Sequence, residues 1–500
     1  MDAIRYFLGM RDRRQPKSTE LESDIYPVHL LDDAKCLRGC PSYLFRFNDV
    51  LDAKRLSDSL SRLLEIGDWR KLGGRFRRKA DGRLEIVVPK QFSVDQPSLT
   101  FTHDVFHTSI EDHPLGRRLP KPTKSSSVFP LPSDLRTFAG PGAPVTIKEI
   151  IQEQTPLTTL HITSFTDATI VVFSWPHVLM DAMGTRSLLH NWSLVLNGKE
   201  EEVSALASAR EDIIGTELEK KEQTEDLLND RKQLGPIRLL LFALRIFFQN
   251  ISGPRFEERT VFIKGNYFDE LKSRAQSEHS HVACCKSEAK NAFISDGDVF
   301  AAWAVHMVAL SEPGLRSISF YTIINARYRL PVLQRNPREE YIQNLLAASY
   351  SNFSREMASG CLGPIARVHR ENMSEQTTEE QIWSYLRMQR EHIRKRNNYK
   401  YNPGDRNATP IIFNNLSKGE ILHVVDFTSA VLKQGEADDS RSNPIGTALC
   451  FTPMGSRMIN QLFGTPYLHV LGKDHAGNYR VTALLRPQMW ARIEEELNAF

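Results

Sequence analysis

The chain of 500 residues is poor in the features that mark specialised protein classes. It has six cysteines: Cys36, Cys40, Cys284, Cys285, Cys361 and Cys450. Cys36 and Cys40 give C-x3-C, but no second pair follows at metal-ligand spacing, and adjacent cysteines such as Cys284 and Cys285 rarely bridge. Free thiols in a reducing compartment are the expectation. The opening residues, MDAIRYFLGMRDRRQ, hold no apolar run of secretory length, so a cytoplasmic location is the default. No apolar run reaches the roughly 20 residues of a membrane-spanning helix. Net charge is nearly absent, at +3 with 64 Lys and Arg against 61 Asp and Glu, which argues against a nucleic-acid binder. No repeat of about 20–50 residues is visible, and no G-x-S-x-G marks a serine nucleophile. What remains, 41% hydrophobic and 25% charged, is the composition of an ordinary globular protein. On length it should form two or three domains.

Residues 1–22 are polar and charged and read as a loose lead-in. Leu51 to Glu65 carries apolar residues at helical spacing, and Arg83 to Val88 reads as a strand. Residues 115–136, with several prolines and a serine run, read as a loop. Leu157 to Thr163 and Ala168 to Trp175 read as strands, the second (ATIVVFSW) a continuous β-branched run of a buried one. The stretch 187–198 predicts a helix ending at Gly198. Residues 199–233 are highly charged and read as a solvated helix or linker, the best domain boundary. Pro236 to Ile251 (PIRLLLFALRIFFQNI) predicts a helix opened by its proline, packed in the core or between domains. The sharper alternative is a greasy surface beside a hydrophobic substrate or a membrane face. Beyond it lie helices at 267–278, 295–311, 380–396 and 488–498, the second capped by Ser295 and Asp298 in S-x-x-D. Strands are expected near 259–263, 317–324, 421–427, 448–451, 467–471 and 479–485. Helices and strands mix in both halves, as in α/β or α+β domains.

One motif carries chemistry: His177-Val-Leu-Met-Asp181-Ala-Met-Gly184. H-x3-D alone is weak, since about one match is expected by chance among 15 histidines. His29 and Asp33 also match, in PVHLLDD, and read as structural. Context separates the two. His177 follows a buried strand and Pro176, and small residues follow it before a helix. Strand ends leading into loops commonly present catalytic side chains, and small residues let a substrate approach closely.

Around this motif the chain resembles the BAHD acyltransferase superfamily, specifically its fungal secondary-metabolism branch, where the pattern is H-x3-D-A-x-G. The broader family has H-x3-D-G, so Ala182 departs from it while Gly184 supplies a glycine two positions later. LSDSLSRLLEIGDWRKLGGR (56–75) is similar to the family's helix ending in G-R, and DGRLEI (81–86) follows as it does there. Phe262 to Glu278 resembles the strand and L-K-x-x-A helix, and ISDGDVFAAW (294–303) the helix beyond. Asn325-Ala-Arg327 aligns with D-x-R, with Asn325 the departure. Tyr341-Ile-Gln-Asn344 resembles Y-F-G-N. VVDFTSA (424–430) aligns with D-F-G-W-G, of which only Asp426 and Phe427 survive.

The resemblance implies an α/β (α+β) fold of two similar-sized sheet-and-helix domains of chloramphenicol-acetyltransferase-like type, joined by a crossover, with a channel between them. The matching divisions are 1–198, 199–255 and 256–500. It implies acyl transfer from acyl-CoA, acetyl-CoA at the level of the branch, to a hydroxyl of a hydrophobic secondary metabolite. His177 would be the general base, with no acyl-enzyme, metal or permanently bound cofactor. Asp181 and Asp426 join it in the catalytic set, Asp181 mainly as structural partner of Arg327, and Asp426 lying away from the base. Gly184 supports the loop, and Ser295 and Asn344 border the coenzyme channel. A monomer whose partners are acyl-CoA and a small hydroxylated acceptor is expected. Two alternatives stay open. A condensation domain would need a second histidine where Pro176 stands. A catalytically degenerate relative, binding a small molecule or a protein, draws its support from the eroded D-F-G-W-G stretch.

Overall fold

The computed structural model describes residues 23–499 except 223–224, 229–233, 284–292, 313, 315–316, 402–403, 436–440 and 456–463. The lead-in 1–22 and the Cys284–Cys285 pair lie outside the described residues. Cys36, Cys40, Cys361 and Cys450 are free thiols.

Two sheets organise the molecule. The first has five strands in the order Cys450–Met454, Ser42–Phe47, Thr169–Ser174, Thr159–Ser164, Thr100–Val105. All its pairings are antiparallel except the last. Thr169–Ser174 sits at its centre with every residue buried, as its unbroken β-branched run predicts. The second sheet has seven strands: Leu346–Ser354, Ser317–Asn325, Thr409–Asn415, Tyr467–Lys473, Tyr479–Leu485, Glu257–Ile263 and Ser127–Pro130. Two of its inner pairings, Ser317–Asn325 with Thr409–Asn415 and Thr409–Asn415 with Tyr467–Lys473, are parallel. The expected α/β architecture of two sheet-and-helix halves is what the chain forms.

The halves exchange strands. Ser127–Pro130, inside the stretch read as a loop, closes the edge of the second sheet against Glu257–Ile263. Cys450–Met454 crosses back to the edge of the first sheet beside Ser42–Phe47. Pro453 is tolerated there because only one flank of an edge strand is paired. Each short segment takes its structure from a partner more than 100 residues away, so its own sequence carries little signal.

Helix Ala53–Leu63 is capped by Asp52 and packs on helix Ala182–Leu196. In the charged stretch, helix Ile213–Lys220 buries Ile214 and Leu218. It is tied to helix Glu379–Arg396 through Arg390–Glu219 and Arg387 to the Leu218 carbonyl, with Lys221–Glu379 just beyond its end. Residues 213–221 of the expected solvated linker are thus packed against that helix.

Helix Pro236–Ser252 forms as its periodicity predicts, but the expectation that it packs in a core does not hold. Phe242 is its only buried residue. No helix among the described residues is long and apolar enough to cross a membrane.

Candidate active site

The site begins where the central strand of the first sheet ends. Beyond Ser174 the chain turns through Trp175, Pro176 and His177 into helix Ala182–Leu196. This turn is pinned at successive points. The Trp175 amide donates to the Pro41 carbonyl at 3.2 Å, and the His177 amide to that of Gly39 at 2.9 Å. The Trp175 indole closes the loop onto the Met180 carbonyl at 3.1 Å. From the other half, Asn344 Nδ2 donates to the His177 carbonyl at 2.8 Å. The His177 ring is partly exposed; Nδ1 is buried with no hydrogen-bond partner among the described residues, which leaves Nε2 as the nitrogen facing out. Among the described residues no carboxylate holds the ring, so they form no Ser-His-Asp triad around it.

Asp181 does not touch His177. It is the N-cap of helix Ala182–Leu196, and Oδ1 accepts from the Met183 and Gly184 amides at 3.0 and 3.1 Å. Oδ2 accepts from the Leu345 amide at 3.2 Å. Arg327 clamps both oxygens, Nη2 on Oδ1 at 2.8 Å and Nη1 on Oδ2 at 3.0 Å. The side chains are 4% and 11% exposed. Arg327 also donates from Nε to the Tyr341 carbonyl, from Nη2 to the Gln343 carbonyl and from Nη1 to Asn325 Oδ1. All five guanidinium N–H groups are therefore used. At the Asn325 departure Oδ1 meets Arg327, and Nδ2 is buried with no partner among the described residues. An aspartate would add a second buried carboxylate to one guanidinium, whereas asparagine accepts the same hydrogen bond and keeps the pair neutral.

Gly184 is fixed by close approach. A Cβ there would lie 2.2 Å from the Ile342 carbonyl oxygen and 2.7 Å from Met180 Cβ. The first turn of the helix and the segment Tyr341–Leu345 meet at that point, and only glycine lets them.

Asn344 is fully buried. Its backbone amide and Nδ2 both donate to Asp32 Oδ1, at 2.7 and 2.8 Å, and the second Nδ2 hydrogen goes to His177. Both Nδ2 hydrogens are thus used, while Oδ1 is buried with no partner among the described residues. Asp32 is the residue that sequence reading missed. It sits between His29 and Asp33, the control match that read as structural. That reading fits the contacts: His29 meets the Ser208 carbonyl, and Asp33 pairs with Arg38. Burial pushes the Asp32 carboxyl up, against the Asn344 hydrogen bonds, and pushes the nearby Lys71 ammonium down.

Ser295 lies apart from this cluster, as the N-cap of helix Asp296–Ser311. Its hydroxyl donates to Asp298 Oδ2 at 2.7 Å, and Arg370 contacts both residues. Asp426 lies at the opposite end of helix Ala182–Leu196 from Asp181. Its backbone meets Ser193 and Asn197. At about 1.5 Å per residue, Ser193 is ~18 Å along the helix from Asp181. The Asp426 carboxylate is exposed and caps Thr428, through its amide at 3.0 Å and its hydroxyl at 2.6 Å. The structure does not bring Asp426 to His177. The loop that lost its glycines and tryptophan still packs: Phe427 is fully buried, stacked on Phe47 at 5.4 Å and tilted against Trp192 at 4.6 Å. A cavity of about 330 Å³, lined by Ile213, Leu333, Glu339 and neighbours, includes none of these residues.

Comparison with known proteins gives a consistent result. A family model described as "Transferase family" matches residues 143–410. The chain is 33% identical to O-acetyltransferase PaAT-2 of Phomopsis amygdali, covering 95% of this chain and 97% of that one. It is 31% identical to acetyltransferase adrJ of Penicillium rubens, covering 97% of each. Among solved structures, F. sporotrichioides TRI101 complexed with coenzyme A and T-2 superposes with a TM-score of 0.65 at 14% identity, covering 95% of this chain and 99% of that one.

Proposed function

We propose a mechanism and a substrate class from one premise: the chain belongs to the Transferase family, as a fungal BAHD-type acyl-CoA-dependent O-acyltransferase. The acyl group is acetyl, and the acceptor is a hydroxyl of a hydrophobic secondary metabolite. Support for both comes from the acetyltransferase names of relatives that match nearly end to end, and from the coenzyme and T-2 bound by TRI101. The two halves, 1–198 and 256–500, are joined by 199–255 and admit donor and acceptor from opposite faces.

In the proposed mechanism His177 is the general base. The acceptor hydroxyl is a poor nucleophile at neutral pH, and imidazole is a base of suitable strength. Nε2 takes the hydroxyl proton as the oxygen attacks the thioester carbonyl. The C–O bond forms, the tetrahedral intermediate collapses, the C–S bond breaks, and the imidazolium returns its proton to the departing thiolate. Such a base is worth on the order of 10²–10⁴ in rate. Transfer is direct, without an acyl-enzyme. Asp181 and Arg327 hold the loop and do no proton chemistry.

The observation that carries this reading is the setting of His177. Its backbone is clamped from both halves by Gly39 and Asn344, while Nε2 is left free to face a substrate. The test is acceptor-dependent thiol release from acetyl-CoA, over a panel of hydroxylated natural products, for wild type and His177→Ala. Release that falls by about 10²-fold or more in the variant is expected. Equal rates would remove His177 from the chemistry. Label retained on denatured protein after exposure to radiolabelled acetyl-CoA without acceptor would overturn direct transfer.

A further inference from the structure

Helix Pro236–Ser252 is turned the opposite way from an ordinary amphipathic helix. Ile237, Leu240, Leu244, Phe247, Phe248 and Ile251 recur at the spacing of a single helical stripe. They are between 43% and 75% exposed. The opposite side faces the protein, with Phe242 buried and Arg245, Ile246 and Asn250 half-buried. Arg245 donates to the Arg406 and Ala408 carbonyls at 3.1 and 2.5 Å. Arg486 reaches the Gln249 carbonyl and Asn250 Oδ1 at 3.0 and 3.1 Å. Turning the stripe inward would break all four bonds, so the fold itself holds the apolar side out.

Charge selects what covers it. From residue 234 to residue 256 there is no aspartate or glutamate, and the cations are Arg238, Arg245 and Arg255. Arg238 and Arg255 are exposed. Pairing with a second copy would set arginines beside arginines with no carboxylate in the stretch to answer them. An anionic lipid surface answers them directly, and it accepts leucine and phenylalanine to the depth of its headgroup boundary. At 17 residues the helix is ~25 Å long and lies flat on such a surface without crossing it.

We infer that this helix docks the enzyme onto the surface of an anionic phospholipid bilayer, by inserting the Ile237–Ile251 stripe between headgroups while Arg238 and Arg255 meet lipid phosphates and carboxylates.

The experiment is flotation of the full chain with vesicles of phosphatidylcholine containing about a quarter phosphatidylserine. The comparisons are pure phosphatidylcholine vesicles and the double variant Leu240→Glu/Phe248→Glu. Wild type should float with the anionic vesicles, and at least about tenfold more weakly with the neutral ones. The variant should bind at least about tenfold more weakly, with unchanged turnover and unfolding midpoint, because both side chains are already exposed. Arg238→Glu alone should weaken binding by about fivefold or more. No flotation at low salt, or equal flotation of variant and wild type, would overturn the inference. So would a concentration-dependent dimer in light scattering that the same two substitutions abolish, since it would assign the face to a second copy.

Discussion

The Asn344 side chain spans two residues from the other half of the molecule, donating at 2.8 Å to the His177 carbonyl and at 2.8 Å to Asp32 Oδ1. The first bond sets the height of the histidine at the end of its strand, and the second fixes the amide that makes the first. These contacts predict that Asn344 is a positioning residue, acting through the backbone of the proposed base. Asn344→Ala should lower kcat by about 10²-fold, as a displacement of roughly an ångström does, with little change in KM for acetyl-CoA. If Asn344 lined a coenzyme channel, KM would rise instead and kcat would hold. Steady-state kinetics with the coenzyme varied separates the two. Asp32→Asn, which keeps the shape and loses the charge, should shift kcat in the same direction by less.

Breaking the Asp181–Arg327 pair leaves its survivor charged and buried. Asp181→Ala should therefore lose roughly 3–5 kcal/mol of stability, together with activity. Urea unfolding measures it. The double variant Asp181→Ala/Arg327→Met, which leaves no unpaired charge, should recover part of that loss. A single variant with an unchanged midpoint and lost activity would mean that Asp181 acts in the chemistry after all.

Gly184 and Ala182 offer a paired test of why the glycine of the motif stands at 184 here. Gly184→Ala places a methyl 2.2 Å from the Ile342 carbonyl. The segment that must yield carries Asn344, so stability should fall by about 1–3 kcal/mol or more and activity should fall with it. Ala182→Gly, at the first helical position, should cost no more than about 1 kcal/mol and leave turnover near wild type. Thermal unfolding of both variants beside turnover decides it. Equal tolerance of the two would show that the contact between helix and segment is looser than its geometry implies.

Much of this was legible in the sequence because it is local. The β-branched run 168–175 states its own burial. Asp181 before Ala182 and Ser295 before Asp296 announce helix starts, and the H-x3-D-A-x-G order places the site. What was not legible depends on distance. Asp32 and Asn344 are 312 positions apart, and neither has a neighbour that betrays the other. Ser127–Pro130 becomes a strand only because Glu257–Ile263 offers an open edge. The helix at 236–252 shows its period in the sequence, but period does not say which side faces the protein. That is settled by Arg245 and Arg486, which fasten the side opposite the stripe to segments far along the chain.

His469 supplies a pH test away from the site. It lies in a central strand of the second sheet, is buried, and has Asn414 as its nearest polar contact at 3.5 Å. Burial lowers its pKa from the ordinary 6.5 to about 4. The sign follows from that depression. The unfolded chain takes up a proton near pH 6.5, and the folded chain resists until about pH 4. Stability from keeping this ring neutral is present above pH 6.5 and is lost as pH falls toward 4. Between pH 7.5 and pH 5 the loss from this one group is about 2 kcal/mol. His469→Gln keeps a polar group toward Asn414 and has no proton to bind. Urea unfolding at both pH values should show the wild type losing about 2 kcal/mol more than the variant over that interval. Parallel losses would mean that the ring takes up its proton at the same pH in the folded and the unfolded chain, so that burial does not hold it neutral.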